Sequence, residues 1–220
     1  MKFFRIAAAA IFISLAVSFS FAADKQEESF AKYAELAAKV RGGDLNIDWQ
    51  ALRVAAVIGV VTDPQVEFQN TQKGYATLGE GKFEDALKIA REIEDNDIAN
   101  GDGHYIALAA LDKLGRPDEL ELERKFLAAF FQSMIKSGDG KSAKTAWFAA
   151  SIREEYLFMQ LVLNVQFKEQ HSMSKDGHYY DVVAVKDENG KEKVIWFNTD
   201  TDFQRMDAIT ERFNHQPNKP

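Results

Sequence analysis

Apolar residues along this chain recur mostly at helical spacing up to Ser137-Gly138-Asp139-Gly140-Lys141-Ser142 and give way to strand-like alternation some distance beyond it. Phe30, Tyr33, Ala37 and Val40 form one stripe and predict a helix over 25–41, closed by Gly42-Gly43. Asp48 stands before Trp49 as an N-cap. Trp49, Leu52, Ala55, Ala56 and Val60 continue as a second helix until Asp63-Pro64 breaks the pattern. Residues 65–78 and 82–94 predict a helical hairpin around Gly79-Glu80-Gly81, with Ala86, Leu87, Ala90 and Ile93 on the buried face of its second arm. A second hairpin follows: 103–114, a turn at Gly115-Arg116, and a helix from Pro117. Proline at the first helical position with Asp118 and Glu119 behind it is a good start signal. Leu120, Leu127, Phe131 and Met134 make the inward face of that helix, flanked by Phe126 and Phe130.

The two hairpins are in register at 34 residues: Gly81-Lys82-Phe83-Glu84-Asp85-Ala86 aligns with Gly115-Arg116-Pro117-Asp118-Glu119-Leu120. With Gly74, Gly81, Phe83 and Ala86 at small, small, aromatic and small positions, the first hairpin resembles the tetratricopeptide repeat. The second departs from it, with Leu108 and Leu120 where small residues belong. Between the hairpins, residues 94–103 read as a solvated polar turn. A calcium loop fails there, because Ala99 fills the fifth position and Ile106 the twelfth, where the closing glutamate is needed.

Beyond the glycine loop, residues 145–150 predict a short buried strand. Ser151 and Glu154 then fit a capping box for a helix over 152–163. Residues 165–173 alternate, with Val165, Phe167, His171 and Met173 on one side and Gln166, Lys168, Gln170 and Ser172 on the other. Strands at 179–186 and 193–198 are joined by Glu188-Asn189-Gly190, a good hairpin turn. Asp202 is expected to cap a last helix over 203–213, with a frayed tail at 215–220. The fold class is therefore α+β: helical hairpins over 23–136, then a small antiparallel sheet with helices over 137–214.

The first 22 residues add a localisation. Lys2 and Arg5 precede an apolar run over 6–17, and Ser20-Phe21-Ala22 places small residues for cleavage after Ala22. That is an export signal, to the periplasm or outside the cell. With no cysteine in the chain there is neither a lipidated cysteine nor a disulfide, so the fold rests on its core. Cleavage removes two of the 27 basic residues, leaving 25 against 34 acidic ones and a net charge of −9. Such a chain is a poor partner for nucleic acid or an anionic lipid surface. No other stretch is long and apolar enough to span a membrane.

Candidate chemistry concentrates around the glycine loop. Gly140-Lys141-Ser142 ends like a phosphate-binding loop, but Ile135 stands where that loop needs its first glycine, and the preceding segment reads as helix, not strand. A helix terminus with Gly138 as its left-handed stop is the simpler reading. Glu154 and Glu155 stand as a general base or ligand pair only if a partner is placed beside them. His104, His171, His178 and His215 form no close ligand pair. His171 and His178 can meet across adjacent strands near Asp181, but a zinc site needs three or four ligands. No catalytic residue, metal site or cofactor is therefore assigned. Asp139, Lys141, Ser142, Glu154, Glu155 and Tyr156 are the candidate binding residues.

Ser137-Gly138-Asp139-Gly140-Lys141-Ser142, Ala146-Trp147, Glu154-Glu155-Tyr156, Tyr180-Asp181-Val182 and Trp196-Phe197-Asn198 together resemble the domain-of-unknown-function 4919 family of exported bacterial proteins. The resemblance implies helices followed by a small sheet and supplies no activity. The functional expectation is a binding or scaffold module for another envelope protein or a peptide. A hydrolase with Asp139, Lys141, Glu154 and Glu155 converging near the loop, and a purely structural envelope protein, are the alternatives.

Overall fold

The computed structural model describes residues 25–59 and 64–205. The predicted export signal, Val60, Asp63, and the last helix and tail beyond 205 lie outside the described residues. Helix α1 covers 25–41 and α2 Trp49–Gly59, with Asp48 Oδ1 accepting the Ala51 amide at 2.9 Å as the expected cap. Four helices follow: α3 (Pro64–Gly79), α4 (Phe83–Asn96), α5 (Gly101–Leu114) and α6 (Pro117–Ile135). After the glycine loop come a 3₁₀ turn (Ala143–Thr145), strand β1 (Trp147–Phe148) and α7 (Ile152–Phe158), which runs on as a π-helical turn (Met159–Leu163). Strands β2 (Gln166–Lys175), β3 (His178–Lys186) and β4 (Glu192–Asn198) precede α8, described over 200–205.

The 34-residue register holds in the backbone. Gly81 and Gly115 both have positive φ (75° and 66°). The residues after them, Lys82 (φ −86°, ψ 67°) and Arg116 (φ −104°, ψ 75°), open the second arms in closely similar conformations. Gly74 lets α3 lie close on its neighbours, since a Cβ there would stand 2.8 Å from Ile106 Cδ1. Ala86, Ala90, Ile106, Ala110 and Leu111 form the buried seam between the hairpins.

The other core joins the two halves. Leu36, Ala37 and Leu52 from the first two helices pack with Phe130 and Met134 of α6, Phe158 of α7, and Val183 and Phe197 of the sheet. Phe30 does not take part: the α1 backbone at this residue lies directly on Gly59, and the side chain is exposed. The sheet has the order β1-β4-β3-β2. Strands β2, β3 and β4 are antiparallel as expected, but β1 pairs parallel with β4, so the sheet is mixed.

Three local expectations are corrected. The strand at 145–150 shrinks to two residues because the preceding 3₁₀ turn takes 143–145. A bulge between Phe167 and Glu169 reverses the alternation of β2. Gln170 and Ser172 therefore face the buried Asp181, while His171 and Met173 are exposed. The 94–103 stretch is not a solvated turn: α5 starts at Gly101, Asn100 caps it by accepting the Gly103 amide at 3.1 Å, and Ala99, Asn100 and Asp102 are buried.

Candidate functional site

Four consecutive residues of α7 reach partners on separate elements, the last two sharing Gln170. Arg153 donates from Nε to Asp102 Oδ2 at 2.7 Å, and Tyr75 donates to the other Asp102 oxygen, also at 2.7 Å. Glu154 Oε2 accepts from Arg53 Nη1 at 2.5 Å and from the Ala150 amide at 2.7 Å. Glu155 accepts from Gln170 Nε2 at 3.4 Å and lies against Asp181. The Tyr156 hydroxyl donates to Gln170 Oε1 at 3.0 Å, and its ring rests 5.6 Å from that of Phe167. The predicted capping box is absent, because Glu154 reaches Ala150 and Arg53, and the Ser151 hydroxyl caps nothing. Asp202 lies near the Ile152 amide, which pulls down a carboxyl that burial raises; it does not cap its own helix, which already begins at 200.

Burial sets the electrostatics of this helix. It raises Glu154, against the pull of Arg53. It pushes Glu155 up to about 10, with the negative charges of Asp181 and Asp202 adding to the effect. A carboxyl at about 10 is protonated at neutral pH, so Glu155 adds no negative charge beside Asp181 and Asp202. Glu154 and Glu155 are buried, and Tyr156 lies partly exposed beside them.

A pocket does open beside Glu154. It lies among α2, the 97–100 loop, α6, α7 and α8, and has room for about 50 Å³ of water. Arg53 lines it together with Glu67, Asn100, Asp102, Arg153 and Arg205. Arg53 is completely buried, sandwiched with its guanidinium carbon 5.4 Å from the Phe130 ring and 5.5 Å from the Phe148 ring. Among the described residues Nη1 is paired, while Nε and Nη2 have no hydrogen-bond partner. Arg205 lies 3.8 Å from Glu67, whose carboxyl is raised by burial. Arg53 escaped the sequence reading, although a lone arginine four residues after Trp49 on the apolar face of α2 was its signal.

The glycine loop lies apart from this chemistry. Asp139 pairs with Lys141 at 2.9 Å on the surface, and the Thr145 hydroxyl and Lys141 lower its carboxyl to about 2. Ser142 Oγ meets Thr145 Oγ1 at 3.1 Å, also exposed. The amides of Asp139 and Gly140 both donate to the Thr145 carbonyl, at 2.9 and 2.8 Å. Asp139 and Lys141 share no partner with Glu154 or Glu155, so the four do not form one cluster. The left-handed residue is Gly140 (φ 66°), not Gly138. Gly138 is needed because a Cβ would stand 2.3 Å from the Thr145 carbonyl oxygen.

The histidines also separate. His171 pairs with Val182 in the sheet register and His178 with Lys175, so the two do not meet. His178 instead contacts Asp200, Nδ1 to Oδ2, at 2.7 Å. Among the described histidines, His104 is the buried one. Its Nε2 reaches the Ile98 carbonyl at 3.0 Å, and its Nδ1 faces Glu123 Oε2 at 2.7 Å and Glu94 Oε1 at 3.6 Å. Arg91 Nη1 binds the far oxygens of the same carboxylates, at 2.6 Å from Glu94 and 2.5 Å from Glu123. Burial raises Glu94. Burial also pushes on Glu123, but hydrogen bonds from His104 and Arg91 outweigh it and leave that carboxyl below its ordinary value. Spacings of 10 and 19 residues around His104 match no short ligand motif, so the cluster is visible only once α4, α5 and α6 are packed.

The architecture defines an α+β protein of helical hairpins on a small mixed sheet. Residues 63–207 match the family model described as Domain of unknown function (DUF4919), and the chain belongs to that family. No curated protein and no solved structure matches it. Among the described residues, no helix is long and apolar enough to cross a membrane.

Proposed function

We propose that the protein is an exported binding module whose pocket takes the C-terminal carboxylate of a peptide on Arg53. The observation that carries this reading is the pair of unpartnered donors, Nε and Nη2, on a fully buried arginine that lines a pocket. These two nitrogens form one edge of the guanidinium and match the two oxygens of a carboxylate in a bidentate pair. Glu154 holds the opposite side through Nη1 and fixes the plane of the fork between Phe130 and Phe148. Arg53 is reached only if the pocket lining opens, and Arg153 and Arg205 are the long, partly exposed side chains in that lining. Export is supported by the sequence of residues 1–22.

The test is a titration of the mature chain with short peptides carrying free or amidated C-termini, read by calorimetry and thermal denaturation. Free peptides raise the midpoint and amidated ones do not. Arg53→Lys keeps a charge for Glu154 but loses the fork, and weakens binding at least about tenfold. Peptides that leave wild type unshifted in both forms overturn the reading and make Arg53 a structural partner of Glu154.

A further inference from the structure

The geometry points to a site for a divalent metal ion of the zinc type, held by Glu94, His104 and Glu123. One ligand atom from each residue lies within 4.8 Å of the other two and all three residues are buried; His104 Nδ1 stands 3.6 Å from Glu94 Oε1 and 2.7 Å from Glu123 Oε2. Every other polar atom of these side chains is committed elsewhere. Arg91 holds Glu94 Oε2 and Glu123 Oε1 from the outside. The Ile98 carbonyl lies 3.0 Å from His104 Nε2, and in the tautomer that carries its proton there the Nδ1 lone pair faces the two carboxylates. This is how metal-binding histidines are oriented: the second ring nitrogen donates to a carbonyl, and outer partners turn the carboxylates. The His104 ring is further fixed by stacking on Phe126 at 3.4 Å between centroids.

The second observation is the state of Glu94. Its side chain is 7% exposed. Among the described residues its Oε1 has no hydrogen-bond partner, and it stands 3.6 Å from His104 Nδ1. A buried carboxylate oxygen with nothing to accept from is costly, and a cation between Oε1, Nδ1 and Glu123 Oε2 satisfies it. A proton on Nδ1 serves Glu123 at 2.7 Å but leaves Glu94 Oε1 at 3.6 Å, beyond a hydrogen bond. One imidazole and two carboxylates suit zinc, which binds such nitrogen and oxygen ligands at about 2.0–2.2 Å and leaves its fourth position to water. The Ile98 carbonyl belongs to the same 97–100 loop whose Ala99 and Asn100 line the Arg53 pocket, but the metal site does not depend on what that pocket binds.

The experiment titrates the metal-free mature chain with Zn²⁺ by calorimetry, and with Co²⁺ by visible absorption, at pH 7. One ion per chain is expected, with a Co²⁺ spectrum of low coordination number. Glu94→Gln, which keeps the shape and one acceptor for Arg91, weakens Zn²⁺ binding at least about tenfold, and His104→Gln abolishes it. His178→Gln and His171→Gln leave it unchanged. If His104→Gln does not fold by circular dichroism, Glu94→Gln decides alone. No stoichiometric binding to wild type, or binding insensitive to Glu94→Gln, overturns the proposal.

Discussion

Arg53 and Glu154 meet at 2.5 Å across 101 residues of sequence, with the arginine fully buried and the glutamate nearly so. The pair ties α2 to α7 and so fastens the helical half to the segment leading into the sheet. Such a pair is not a large net stabiliser, because both ions lose their water. Breaking it from one side is expensive all the same. Arg53→Met leaves Glu154 buried without its counter-charge and is expected to cost about 3–5 kcal/mol. Adding Glu154→Leu to the same chain recovers most of that loss. Urea midpoints of the two variants check this; an Arg53→Met chain within about 1 kcal/mol of wild type shows that the pair carries no such weight.

The local grammar of the helical half was readable because it is local. Asp48 caps α2, and Gly81 and Gly115 open two arms 34 residues apart, each fixed by backbone geometry within a few positions. The candidate site was not local. Ser151 and Glu154 have capping-box spacing, yet Arg53 arrives from a distant helix and takes the carboxylate. Glu94, His104 and Glu123 lie on three helices, and no sequence spacing encodes how those helices pack. In β2 a single bulged residue was enough to turn Gln170 and Ser172 inward against an alternation that read the other way.

The N-terminus of α7 separates the sequence expectation from the structure in a second experiment. Ser151 makes no cap hydrogen bond, so Ser151→Ala should change stability by less than about 0.5 kcal/mol. Asp202 lies near the Ile152 amide at this helix start, and if it serves as the cap, Asp202→Ala should cost about 0.5–2 kcal/mol. Chemical denaturation of both variants gives the comparison. A larger loss for Ser151→Ala than for Asp202→Ala reverses the assignment.

The glycine loop is built for packing, so its two kinds of residue should respond differently. Gly140 has φ 66°, and a Cβ there would stand 2.3 Å from the Trp147 ring. Gly140→Ala combines a left-handed backbone, about 1–2 kcal/mol, with overpacking of about 1–3 kcal/mol. Among the described residues, Asp139 and Lys141 pair with loop neighbours on the surface. Asp139→Ala with Lys141→Ala should leave the thermal midpoint where it is, and peptide binding with it. If that double variant abolishes binding, the ligand sits on the loop and not over Arg53.

Glu155 gives the chain a pH dependence of definite sign. Burial and the charges of Asp181 and Asp202 push its carboxyl up to about 10 in the folded protein. In the unfolded chain it titrates near the ordinary glutamate value of about 4.3. Between these two values the folded state holds one more proton than the unfolded state. The stability this group contributes is therefore complete below the unfolded value and drains away as pH rises toward the folded one. The loss is roughly 1.4 kcal/mol per pH unit for a full proton difference. Glu155→Gln keeps a neutral side chain of the same shape and has no proton to lose. Its stability relative to wild type should therefore rise steadily from pH 5 to pH 8. Parallel denaturation curves at each pH measure that difference, and a gap that stays flat shows that Glu155 is already ionised in the folded chain.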